Sequence, residues 1–352
     1  MTVSDFSPAT PIRLVTECRV VFRSATACRN RLLAFLSALI VLGPLMGPHH
    51  AQAEVAAQSI PLPKGFDYPN GIAVGPEGDL FVGSVTAGHI LRVSTDGTTE
   101  RAFQETDEVF AGTSLRFDTQ TGLLWVTSPD FLGQEINGER VRRPHRIAAI
   151  DLSQGEVVWS STIPDQGFAN DIALDNKGGI YVTDSIGDRI LHLAAPGASF
   201  ETIADDAFFA PGDLGPAGIV MTPSGDLIVG LYSDGALFRV RLNEVGAEVV
   251  PLNLTRKIQN PDGLAMTDDG RLLILEGAVQ SGDGKLLVVD LEGPAPLLVE
   301  PLVDGLDMPL NLTVFGNKVA VTEGRLRHFM LDDPSLAKTG PFRVVVVTLE
   351  EE

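Results

Sequence analysis

Oxygen-bearing side chains recur at one point of a repeated phrase in this chain: Asn70, Thr113, Asn170 with Asp171, Asp262, and Asn311 beside Leu310, with Ala217 breaking the series. Each stands at the start of an apolar stretch. Amide carbonyls and one or two carboxylates converging on a point form a hard-cation site, and calcium, which takes six to eight oxygen ligands, suits such a set. Asn170 and Asp262 are the strongest candidate ligands of a divalent cation, with Asn70 and Asn311 as further donors. The same residue types also cap strand starts throughout β proteins, so their position alone leaves both roles open.

A second set closes the following apolar stretch: Ser84, Ser128, Asp184, Leu231 with Tyr232, Glu276 and Glu323. Carboxylates crowded into a partly closed channel repel one another. Either a cation neutralises them, or one keeps its proton and can serve as acid or base. Facing water, they would do neither. On this reading Asp262 and Asp184 are the candidate catalytic carboxylates, and Glu276, Glu323 and Tyr232 are candidate substrate contacts.

The segment Pro129 to His145 interrupts the repeat and carries Arg140, Arg142, Arg143 and His145, the densest basic cluster in an acidic chain. As a lid, its Arg142 and His145 could receive a carboxylate of a small-molecule substrate through charge-assisted bonds. As a solvated loop, its arginines would offset Glu135 and Glu139. The Phe208-Phe209 pair could wall a pocket or pack over outer strands. G-x-S-x-G, a Gly-rich phosphate loop after a strand, and H-E-x-x-H are all absent, so serine-hydrolase, nucleotide and zinc-protease chemistry lack their signals.

The elements that must position these residues follow from the repeat. PNGIAVGPEGDLFVGS (Pro69 to Ser84) returns as GTSLRFDTQTGLLWVTS, ANDIALDNKGGIYVTDS, PAGIVMTPSGDLIVGLY, PDGLAMTDDGRLLILEG and, most degenerate, PLNLTVFGNKVAVTEG. Every copy is an alternating apolar strand, a Gly/Asp/Asn turn and a second β-branched strand. A third strand follows in HILRVS, RIAAIDL, RILHLA, ALFRVRL, KLLVVDL and LRHFML. Copies step by 43, 57, 47, 45 and 48 residues, a period that suits a four-stranded blade. The expected fold is all-β: a six-bladed β-propeller of antiparallel blades. An open ring would leave a sheet edge unpaired, so one of two leftover segments, 58–63 or 342–349, must complete blade six.

Residues 1–53 stand outside this repeat. Arg29 and Arg31 precede the apolar run 32–42, Gly43-Pro44 breaks it, and Ala51-Gln52-Ala53 fits a signal peptidase. The pattern reads as a secretory signal, and the run is too short for a comfortable permanent membrane anchor. The rest, 54–352, reads as one propeller domain of a periplasmic or secreted protein. The 352-residue chain has 26 Lys and Arg against 46 Asp and Glu, a net charge of −20. Removing the signal takes away five arginines, two acids and both cysteines, Cys18 and Cys28, which deepens the charge to −23. Such a balance repels nucleic acid. Without thiols, neither disulfides nor thiolate chemistry is open to the mature chain.

SLRFDTQTGLLWVT, ANDIALDNKGGIYVTD and PDGLAMTDDGRLLIL resemble the gluconolactonase and luciferin-regenerating-enzyme-like group of six-bladed propellers, relatives of the paraoxonase and strictosidine synthase propellers. The resemblance covers all six copies, although its short motifs are shared with non-enzymatic propellers of NHL type. It implies hydrolysis of a lactone or related ester at a calcium or other divalent ion. It also implies that Asn170 is a ligand, and that Asp262 binds metal and assists proton transfer. The chain departs from the group at Asn70, where a glutamate is usual, and at Ala217, where an asparagine is usual. Those departures keep a metal-independent, strictosidine-synthase-like pocket, a non-catalytic binding propeller and a lyase among the readings. Export followed by cleavage after Ala53 predicts a mature protein whose amino-terminal sequencing begins at Glu54; an intact Met1 terminus would contradict it.

Overall fold

The computed structural model describes residues 57–94, 96–243 and 246–349, and the expected signal segment lies outside the described residues. Among the described residues no helix is long and apolar enough to cross a membrane.

The first strand, β1 (Ala57–Pro61), belongs to the last blade. Blade one runs outward from the axis as β2 (Pro69–Val74), β3 (Leu80–Ser84), β4 (Ile90–Val93) and β5 (Thr99–Phe103). Blade two begins with β6 (Ser114–Asp118) and β7 (Leu123–Ser128). It then projects a separate hairpin, β8 (Gln134–Ile136) with β9 (Glu139–Val141), and resumes with β10 (Arg146–Asp151) and β11 (Glu156–Thr162). That hairpin is the insertion behind the longest repeat step. Blade three is β12 (Ala169–Leu174), β13 (Ile180–Asp184), β14 (Arg189–Leu193) and β15 (Glu201–Ala204). Blade four is β16 (Pro216–Met221), β17 (Leu227–Leu231), β18 (Leu237–Asn243) and β19 (Gly246–Pro251). Blade five is β20 (Pro261–Met266), β21 (Leu272–Glu276), β22 (Gly284–Val289) and β23 (Glu300–Leu306). Blade six is β24 (Pro309–Phe315), β25 (Lys318–Glu323), β26 (Arg343–Thr348) and, outermost, β1.

Both leftover segments are therefore used, β26 as the third strand and β1 as the fourth, with Ala57 opposite Val347 and Pro61 opposite Arg343. The LRHFML segment is not a strand. Arg325 adopts a left-handed backbone and the short helix α1 (Arg327–Met330) follows. The β-branched run RVVVVT makes the better strand and takes the place beside β25.

The turn between the first two strands of every blade holds a glycine at positive φ: Gly78, Gly122, Gly178, Gly225, Gly270 and Gly316. Only glycine takes that conformation at little cost, which is why the turn glycine is the most regular letter of the repeat. Alternation then places apolar side chains on both faces of each blade, and neighbouring blades bury them in six successive clusters. Trp125, fully buried with Ile147, Ile172 and Ile180, joins blades two and three; Ile60, Leu80, Val82 and Val344 join blades six and one. Because β1 supplies the outer edge of that last junction, deleting residues 54–61 should lower the thermal unfolding midpoint and raise the apparent mass in solution through pairing at the bared β26 edge. A monomer with unchanged midpoint would contradict this role.

Candidate active site

In four of the innermost hairpins the pairing skips at the same place: between Pro69 and Ile72, Ala169 and Ile172, Pro216 and Ile219, and Pro261 and Leu264. A β-bulge unpairs residues and re-aims their side chains. Asn70, Asn170, Ala217 and Asp262 occupy these bulges. In blade six the skip lies between Pro309 and Asn311, so Leu310 takes the corresponding position.

The bulges create two layers across the axis. The upper layer is Asn70, Thr113, Asn170, Ala217, Asp262 and Leu310, and all but the fully buried Ala217 line a pocket at the mouth of the channel. The lower layer is Gly71, Ser114, Asp171, Gly218, Gly263 and Asn311. A side chain at Gly218 would strike the backbone oxygen of Asp262, so the inner strands approach too closely there for anything larger than glycine. Where blades three and six carry Asp171 and Asn311, those side chains fill the axis. Asp171 accepts from Ser114 Oγ at 2.6 Å, Arg116 Nη2 at 3.0 Å and the Ile219 amide at 3.2 Å. Asn311 Nδ2 reaches Asp171 at 3.4 Å, and Arg116 Nη1 donates to Asn311 Oδ1 at 3.3 Å. Asn311 thus sits in the closed floor and is not brought into the pocket.

The pocket has a volume of about 60 Å³. Its polar lining is Asn70, Thr113, Asn170, Tyr232 and Asp262, and its walls are Val85, Phe131, Phe168, Leu214, Met308, Leu310, Leu326 and Met330. Asp262 is half-buried, with its accessible surface opening into this enclosure, and among the described residues no donor reaches its carboxylate. Burial, reinforced by the charge of Asp171, holds its carboxyl well above the usual carboxylate range. Burial and the nearby Asp262 charge likewise push the Tyr232 phenol up, so Tyr232 keeps its proton as a donor. Asn170 donates from Nδ2 to Ser185 Oγ at 2.9 Å, which leaves its amide oxygen for the pocket. Thr113 Oγ1 shares a proton with Thr127 Oγ1 at 2.8 Å.

The candidates at the ends of the second strands sit elsewhere and share a different task. Asp184, fully buried, accepts from the Phe168 amide at 2.7 Å, the Gly187 amide at 2.9 Å and Arg189 Nε at 3.0 Å. Glu276 takes both arms of Arg256, at 2.6 and 2.9 Å, and the Gln259 amide at 2.7 Å. Glu323 accepts the Asp307 amide at 2.9 Å and pairs with Arg343. Ser128 performs the same service in blade two for the amides of Phe110 and Ala111. In each case the end of the second strand ties down the loop that leads into the innermost strand. Their charges are matched by Arg189, Arg256 and Arg343, and none of the three carboxylates lines the pocket.

From the insertion, Arg142 is exposed at the rim. His145 is buried with its ring edge-on to Phe168, its imidazole pushed below the ordinary range by burial and then by Arg142. It therefore backs the pocket wall without facing the cavity. Arg143 is committed to Asp130 at 3.1 Å and to the face of Phe110. Phe209 is core between blades three and four, and Phe208 stacks on Phe238 outside the pocket. Residue types alone did not disclose the apolar wall, because Val85, Leu214, Met308 and Leu326 lie just outside the repeated strands.

Any cation here would be held by oxygen alone. Among the described residues no group of three or more His, Cys, Asp or Glu is arranged for a metal. The unpartnered Asp262 carboxylate with the amide oxygens of Asn170 and Asn70 is a donor set that fits one hard divalent ion at low ligand charge.

Fold and site together define a six-bladed propeller with a small axial pocket built around a single carboxylate. No family model matches the sequence, and no curated protein matches it. Solved structures match the fold. A gluconolactonase from Xanthomonas campestris is similar at 15% identity and a TM-score of 0.59, over 85% of this chain and 91% of that one. A virginiamycin B lyase from Staphylococcus aureus, crystallised with quinupristin, is similar at 13% identity and a TM-score of 0.56, over 84% of this chain and 100% of that one. A nidogen/laminin complex contains a chain similar at 22% identity and a TM-score of 0.51, over 68% of this chain and 83% of that one. At these identities the likeness is one of fold, which enzymes and a nidogen/laminin complex share.

The loop-tying role of Asp184 has a measurable consequence. Asp184→Ala strips a buried acceptor from two amides and a guanidinium and should cost about 3 kcal/mol of unfolding free energy in urea titration. A loss below about 1 kcal/mol would contradict the role.

Proposed function

We propose that the protein is an exported hydrolase that opens a lactone or related small ester in the axial pocket. The observation that carries this reading is the solitary, unpartnered Asp262 carboxylate at the channel mouth. Burial raises its proton affinity above the ordinary carboxylate range, the direction that suits a group that takes up and releases a proton in one cycle. The gluconolactonase-like fold supports the substrate class, and the character of residues 1–53 supports export.

Chemically, Asp262 takes a proton from water as its oxygen bonds to the carbonyl carbon. The same proton then passes to the departing alkoxide oxygen as the carbon–oxygen ester bond breaks. Tyr232 stands as a hydroxyl donor for the carbonyl oxygen as negative charge develops there. The apolar walls limit water around the reacting centre. A divalent cation, most suitably calcium, would be held by Asp262, Asn170 and Asn70, where it supplies Lewis-acid polarisation of a carbonyl.

A second reading, a propeller that binds a ligand without turnover, is favoured by the absence of a second carboxylate or an imidazole among the pocket's lining residues and by Ala217 where a donor would stand. A screen of mature protein against lactones and aryl esters, with calcium or with chelator, separates the two.

Asp262→Asn should lower kcat/KM at least a hundredfold on any substrate so found. The same substitution should raise the unfolding midpoint, because it removes a carboxylate whose ionised form the folded state disfavours. The sign follows from a folded-state proton affinity above that of the unfolded chain. Wild-type stability falls as pH rises from the ordinary carboxylate range toward the raised one, so the variant's advantage grows over that interval. Retained turnover, or a lower midpoint across this interval, would remove Asp262 from the role.

A further inference from the structure

The axial pocket is too small for a whole ligand. At about 60 Å³ it holds the equivalent of a few water molecules, whereas pockets that enclose small molecules run to several hundred. Next to it lies a cleft of about 420 Å³ between the blade-two hairpin and helix α1. The two are continuous in their lining: Phe131 borders both, and His328 and Phe329 of the cleft precede Met330 of the pocket in the same helix.

The cleft differs in chemistry from the pocket it adjoins. Its hairpin side presents Arg140 and Arg142, two apart along an extended segment and so on one face of it. Both stems pass over the backbone at Gly133, which has positive φ: a Cβ there would lie 2.9 Å from Cγ of Arg140 and 3.2 Å from Cγ of Arg142. Among the described residues neither guanidinium has a hydrogen-bond or ion-pair partner, unlike Arg143, and Asp332 is the acidic group lining the same cleft. In the hairpin register Glu135 stands opposite Arg140. On a strongly acidic protein, two exposed arginines side by side over an aromatic-lined cleft form an anion seat, and guanidinium forks match carboxylates in geometry.

We propose that this cleft is the subsite for the larger part of the substrate, and that this part carries a carboxylate received by Arg140 and Arg142 while the reacting end enters the axial pocket. The inference rests on the functional reading above and narrows its substrate to acidic esters or lactones. The basic cluster that the sequence offered is thereby redistributed: Arg142 stays, Arg140 joins it, His328 from blade six takes the place of His145, and Arg143 is structural.

The test uses mature protein and a matched pair of probes, hexanoate and hexanamide, titrated by calorimetry. Wild type should bind the carboxylate about tenfold or more tightly than the amide, and Arg140→Gln/Arg142→Gln, with unchanged circular dichroism, should reduce that preference to about twofold. Equal affinities in wild type, an undiminished preference in the double variant, or no hexanoate binding at about 10 mM would each overturn the subsite. Binding does not require turnover. A preference reduced as expected, in a protein that hydrolyses no ester, would leave the anion subsite standing and refute the hydrolase reading alone.

Discussion

The Asp171 carboxylate, clamped at the axis, is the interaction on which the rest of the molecule turns. Its partners come from three blades, Ser114 and Arg116 from blade two, the Ile219 amide from blade four and Asn311 from blade six, while Asp171 itself belongs to a fourth, blade three. A buried charge is tolerable only when donors surround it, and this one is surrounded by donors that no single blade could supply. Charge matching at the axis therefore fixes how blades are placed around it, which apolar packing between blades, being non-directional, does less sharply.

The same clamp closes the channel below the pocket and gives it a floor. It also sets a negative charge beneath Asp262, which adds to burial in raising that carboxyl's proton affinity. The two carboxylates lie in adjacent layers of the axis with opposite fates: one is saturated with donors, and among the described residues the other has none. The difference is set by register. A bulge in β20 turns Asp262 up toward the mouth, while Asp171, one residue beyond the bulged Asn170, lies in the layer below.

Much of this was legible in the residues and some was not. The repeat period, the alternation and the turn glycines define six antiparallel blades, because each is a local property of a dozen residues. Ring closure was only half legible. LRHFML has apolar residues enough for a strand, and only the competing RVVVVT decides otherwise. At the site, Asn70, Asn170, Tyr232 and Asp262 do gather in one pocket. Asn311 falls a layer lower because Leu310, one residue earlier, holds the upper position, as Asn170 does before Asp171. Asp184, Glu276 and Glu323 looked like crowded rim acids because their partners, Arg189, Arg256 and Arg343, are up to 20 residues away along the chain.

Ring closure has a topological consequence as well. Ala57 lies directly opposite Val347, so the ends of the described fold are neighbours on one strand pair at the circumference. In hydrogen-bonding terms the ring has no privileged first blade: joining those ends and cutting any surface connection between two other blades would preserve every sheet. The order of blades along the gene is then a matter of ancestry and synthesis, and the arrangement of the pocket does not depend on where translation starts.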